Sequence, residues 1–110
     1  MSAETRFSVA KSSNAQLRIL GKTYRLVEVE DLNDFGLCDD NKQTISLRKG
    51  MPPEVWADTI LHECVHAIDF QMHLKMTERQ VHCVGSGLWA LFADNPDLIQ
   101  RIREAAMKKG

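Results

Sequence analysis

The sequence has no CxxC pair, no apolar run long enough to span a bilayer, and almost no imbalance of charge. Its three cysteines, Cys38, Cys64 and Cys83, are odd in number and widely spaced. That argues against a disulfide framework and a cysteine zinc knuckle, and predicts reduced thiols in an intracellular chain. The formal net charge of −1 gives no electrostatic ground for binding nucleic acid or a membrane surface. The basic cluster near the C-terminus (Arg101, Arg103, Lys108 and Lys109 against Glu104) reads as a solvated helix end. Residues 1–6 lack the apolar segment of a secretory signal. These absences together predict a cytoplasmic protein with neither a nucleic-acid nor a membrane partner.

What is present is an ordinary globular balance. Over 110 residues, 44% are hydrophobic and 26% charged, enough for one domain with one modest core. Residues 1–14 are polar and aperiodic, and are expected to form a flexible tail ahead of a single domain over 15–110. Leu17 to Leu20 and Thr23 to Glu30 read as two strands around a turn at Gly21-Lys22. Asp31 to Gly36 reads as a loop, and the stretch from Cys38 to Lys42 is dense in turn formers. A third strand follows over Gln43 to Arg48, with Ile45 and Leu47 on one face.

The period then changes. Pro52-Pro53-Glu54 suits a helix start, because proline there forfeits no hydrogen bond and an acid complements the dipole. The expected helix runs from about Pro53 to about His73. Thr77-Glu78-Arg79-Gln80 has the form of a capping box and starts a second helix, to about Ala93. Asp94-Asn95-Pro96 ends it and leads into a short third helix, to about Lys108. The expected class is α+β: a small antiparallel sheet of about three strands packed on the first helix, followed by two more helices.

Within the first helix lies His62-Glu63-Cys64-Val65-His66, an HExxH sequence. At about 100° per residue, His62, His66, Asp69 and His73 fall within about 60° of one another. Leu61, Cys64, Val65, Ile68 and Met72 form a separate apolar stripe. Two imidazoles one turn apart can reach one ion, and Glu63 beside them can hold a water without being a ligand. A solvent-exposed pair of histidines is the bland alternative, and the segregated stripe argues against it. Cys64 reads as a small core residue.

Two histidines do not complete a zinc site, so a third protein ligand is needed. The metzincin extension fails, because Asp69 replaces its glycine and Met72 its third histidine. The second helix offers Glu78 and His82, one turn apart on one face. Glu78 is the preferred ligand, which leaves His82 to donate to a developing oxyanion; the reverse assignment stays open. Asp69 is a candidate acceptor for a ligand imidazole, or else a solvated acid. His73 is read as exposed or at the rim. Gly85 and Gly87 cost helix propensity, and close helix approach is the expected return.

The segment from Thr59 to Asp69, with Thr77 to Val81, Gly87-Leu88 and Asp94-Asn95-Pro96, resembles small gluzincin-type zinc metallopeptidases. These occur in phage and prophage genomes and are related in style to the ImmA/IrrE group. The resemblance covers roughly residues 44–98 and implies a minimal zincin-like fold, with Zn2+ held by His62, His66 and Glu78. It also implies Glu63 as general base, a peptide or protein substrate, and a place in the host cytoplasm if phage-encoded. The expected activity is hydrolysis of a peptide bond by a water that Glu63 and the metal activate. An extended peptide could align on a sheet edge near Thr44, Ser46 and Arg48. The rival readings are a non-catalytic, zinc-stabilised binding protein acting on a host or repressor protein, and a deformylase-like hydrolase with Cys38 as third ligand.

Overall fold

The computed structural model describes residues 15–108; the expected tail at 1–14 lies outside the described residues. The chain is α+β, with four strands followed by three helices. The strands are β1 (Gln16–Ile19), β2 (Lys22–Val29), β3 (Gly36–Asp39) and β4 (Thr44–Arg48). The helices are α1 (Pro53–Met72), α2 (Glu78–Asp94) and α3 (Leu98–Met107).

Strands β1 and β2 form a hairpin across Leu20 and Gly21, whose positive φ values of 51° and 81° suit a tight, right-twisted connection. The sheet order is β1-β2-β4-β3, and β2 pairs with β4 in parallel while the other two pairings are antiparallel. The sheet is therefore mixed and four-stranded, where the sequence predicted an antiparallel sheet of about three. The added strand is β3, which runs from the end of the expected loop, at Gly36, into the turn-rich stretch that begins at Cys38. Gly36-Leu37-Cys38-Asp39 has little alternation of its own, and its pairing to β4 supplies the extended conformation. Because β4 is flanked on both sides, Thr44, Ser46 and Arg48 cannot serve as a sheet edge. The edges are β1 and β3.

Tyr24, Leu26, Ile45 and Leu47 line the sheet face that packs on α1, where Ala67 joins their cluster and Trp56 and Ile60 pack against it. Burying such side chains is worth about 1.5–3 kcal/mol each. Glu63 shares this side of α1 by helical spacing. The opposite side meets α2: Gly85 lies over His62, and Ser86 donates a hydrogen bond to Asp58 at 3.1 Å. Helix α1 is thus the middle layer, between the sheet and α2. Its contacts are shared between two sides, so the stripe read from the sequence is not one buried face. Val65 is buried while Met72 is 56% exposed.

Helix α2 begins at the expected cap. The Thr77 hydroxyl accepts from Gln80 N–H at 3.1 Å, and Thr77 N–H donates to Gln80 Oε1 at 2.8 Å. Helix α3 contributes no buried residue.

Candidate metal centre

His62 and His66 occupy successive turns of α1, with ring centroids 5.0 Å apart. Helical spacing alone sets that separation, and the middle-layer position holds both rings half-buried. Phe70, one turn further on, stacks on His66 at 6.0 Å with an interplanar angle of 21°.

Glu78, the first residue of α2, reaches across to both rings. Its Oε2 lies 2.8 Å from His62 Nε2 and its Oε1 3.1 Å from His66 Nε2. One carboxylate therefore collects both imidazoles, an oxygen to each. Close approach of the helices makes this reach possible. A Cβ on Gly85 would sit 3.1 Å from His62 Cα, so only glycine fits against that backbone without displacement.

His62, His66 and Glu78 form a group that could hold a metal ion, with their donor atoms all within 4.8 Å of one another. An ion at about 2.0–2.1 Å in tetrahedral geometry keeps its ligand atoms about 3.3 Å apart, so small side-chain adjustments suffice. Two imidazole nitrogens and one carboxylate oxygen leave a fourth position open, which separates a catalytic donor set from a closed structural one. The residues present fit the group.

Glu63 is 5% exposed although it is a carboxylate in the middle of the site. The edge strand covers it. A Cβ on Gly36 would lie 2.7 Å from Thr59 Cγ2 and 3.1 Å from Glu63 Oε2, so β3 approaches α1 only because residue 36 has no side chain. Burial, then the neighbouring Glu78 charge and that of Asp34, push the Glu63 carboxyl up to about 7. A carboxyl there can take and release a proton near neutrality.

These residues line a cleft of about 700 Å³ that also includes Phe35, Leu37, Phe70 and His82. Phe35, Leu37 and Phe70 are each about half exposed, which gives the cleft an apolar rim. His82 is exposed, with its ring 6.2 Å from that of His62, and it stands outside the converging donors. Cys38 also lines the cleft without joining them, and burial pushes its thiol up to about 12. Burial likewise raises Cys64, to about 11.

Asp69 does neither of the things expected of it. It is buried, and its Oδ1 accepts from the backbone N–H of Met76 at 3.2 Å, not from an imidazole. His73 is exposed and caps α1 in a left-handed conformation, with φ 55°. Sequence reasoning missed the covering role of Gly36. A glycine two residues ahead of a turn-rich stretch carried no signal beyond loop propensity, because its function depends on Thr59 and Glu63, more than twenty residues away.

Among the described residues, no helix is long and apolar enough to cross a membrane. No protein-family model matches the chain, and neither does any curated protein or solved structure.

Proposed function

We propose that the chain is a zinc-dependent peptidase in which Glu63 is the general base. The observation that carries this reading is the placement of a buried carboxyl, Glu63, beside three converging metal donors in one open cleft. The two-imidazole, one-carboxylate set suits zinc, which when bound acidifies water and polarises a carbonyl. Glu63 accepts the proton of the attacking water and returns it to the leaving nitrogen. His82, on the cleft wall one turn past Glu78, donates to the oxygen that gains charge during attack.

Peptides are the substrate class that the walls favour. The edge strand β3 borders the cleft and could pair with an extended chain, while Phe35, Leu37 and Phe70 receive apolar side chains. Arg and Lys are missing from the cleft lining, whereas Asp34, Asp58, Glu63 and Glu78 are present, which disfavours phosphate esters and other anionic substrates. A zinc-stabilised binding protein would use the same three ligands but has no need of a buried carboxyl at position 63.

The test is Glu63→Gln, assayed on a mixed peptide library alongside the wild-type chain, each loaded with zinc. The expected result is cleavage by wild type, and loss of cleavage with zinc stoichiometry kept in the variant. Equal cleavage by both would remove Glu63 from the mechanism. A zinc-loaded wild type that cuts nothing would favour the binding role.

A further inference from the structure

The two histidines and the glutamate of the cluster are placed by different means. His62 and His66 sit mid-helix, so helical geometry fixes their separation. Glu78 sits at the start of another helix, and its side chain is 70% exposed, so packing does little to aim it. Its position depends on the path of the backbone between Met72 and Thr77. One residue gathers that path. Asp69 O accepts hydrogen bonds from the N–H groups of His73 and, at 3.2 Å, Leu74, and Asp69 Oδ1 accepts from Met76 N–H at 3.2 Å.

The turn so held is not one that its own residues favour. His73 and Lys75 have φ values of 55° and 56°, left-handed conformations that cost energy for any residue with a Cβ. Such a turn persists where surrounding bonds over-determine it. Thr77 then closes the capping box with Gln80, and Glu78 is the next residue. The order of contacts runs from a buried side chain on the histidine helix, through one backbone N–H, to the cap, to the carboxylate.

We propose that Asp69 is a positioning residue for the metal site: it fixes the 73–77 turn so that Glu78 meets His62 and His66. The inference rests on reading the cluster as a metal centre. It assigns to Asp69 an action on the third ligand through the main chain, not through an imidazole.

A double-mutant cycle on the full chain tests it. Zinc affinity is measured by chelator competition for wild type, Asp69→Ala, Glu78→Ala and the double variant, with helical content followed by circular dichroism. Partners bonded directly to metal ligands typically account for about 10–100-fold in affinity, and Asp69, acting one step further back, is placed at the low end of that range. Asp69→Ala is expected to weaken zinc by about tenfold or more when Glu78 is present, and by less than about twofold in the Glu78→Ala background. Asp69→Asn keeps an oxygen that can accept from Met76 N–H, and is expected to retain affinity within about threefold. Should Asp69→Ala fail to fold, Asp69→Ser, polar but too short to reach that N–H, carries the same cycle. Equal losses in both backgrounds would reduce Asp69 to general stability and overturn the proposal, as would no loss in either. A wild-type chain that takes up no zinc removes the metal reading itself, a result distinct from either outcome of the cycle.

Discussion

Gly85 lies against the backbone of His62, so close that a Cβ at position 85 would stand 3.1 Å from His62 Cα and 3.3 Å from its nitrogen. The obstruction would be main chain, which cannot rotate aside. Helix α2 would have to shift by a few tenths of an ångström, and Glu78 would move with it relative to both imidazoles. Gly85→Ala is therefore expected to cost about 1–3 kcal/mol of stability despite the better helix propensity of alanine. It should also weaken zinc binding. Thermal unfolding and chelator competition on the same sample check both.

Gly36→Ala gives the complementary result. Its Cβ would meet Thr59 Cγ2 at 2.7 Å and Glu63 Oε2 at 3.1 Å, so the Thr59 and Glu63 side chains or β3 itself must shift. A similar loss of about 1–3 kcal/mol is expected. No metal donor comes from β3, so zinc affinity should stay within a few-fold of wild type while peptide cleavage falls. A variant that lost zinc as well would show that the sheet helps hold the ligands.

The Glu63 carboxyl gives the metal-free chain a pH-dependent stability. Its ordinary value is 4.5 and its folded value about 7, raised chiefly by burial. The folded state therefore binds the proton more tightly than the unfolded state does. The associated stability is fully present below about pH 4.5 and is lost as pH rises through about 7. Glu63→Gln has no such proton to lose. Melting curves of metal-free protein taken between about pH 5 and pH 8 should be flatter for the variant. Parallel curves for the two chains would contradict this.

Thr77→Ala removes the side-chain oxygen that receives Gln80 N–H at 3.1 Å. Caps of this kind contribute about 1 kcal/mol, enough to lower Tm by a few degrees. Because Glu78 is the residue after the cap, zinc affinity should fall together with stability. Thr77→Ser, which keeps the hydroxyl, should restore both.

Chelation should destabilise wild type more than Glu78→Ala, which keeps only the two histidines. With free zinc at about a hundred times its Kd, binding adds about 2.7 kcal/mol to folding. Calorimetry with and without chelator is expected to show that gap in wild type, narrowed in His62→Ala and His66→Ala as well.

Much of the site was legible because its chemistry depends on local spacing. His62, Glu63 and His66 share one helix, and the Thr77 cap announced where Glu78 would begin. The α+β class was legible too, from strands that alternate followed by helices that are capped. What escaped was long-range. Strand β3 owes its conformation to β4, and the parallel pairing of β2 with β4 leaves no periodic mark in either strand. Asp69 shared the histidine face of a helical wheel, yet its carboxyl turned toward a backbone N–H seven residues on. A wheel has no way to represent that turn.

All three candidate ligands lie between positions 62 and 78, within one helical hairpin, while the edge strand β3 contributes the cover over Glu63. The three donors and part of the cleft wall, Phe70 and His82, thus share that hairpin, while Phe35 and Leu37 complete the wall from the stretch ahead of it. The sheet is free to diverge, exchanging Phe35 or Leu37 for other residues, without rewriting the segment that captures the metal. The wall that faces a ligand could change on that side while the donor cluster stays the same.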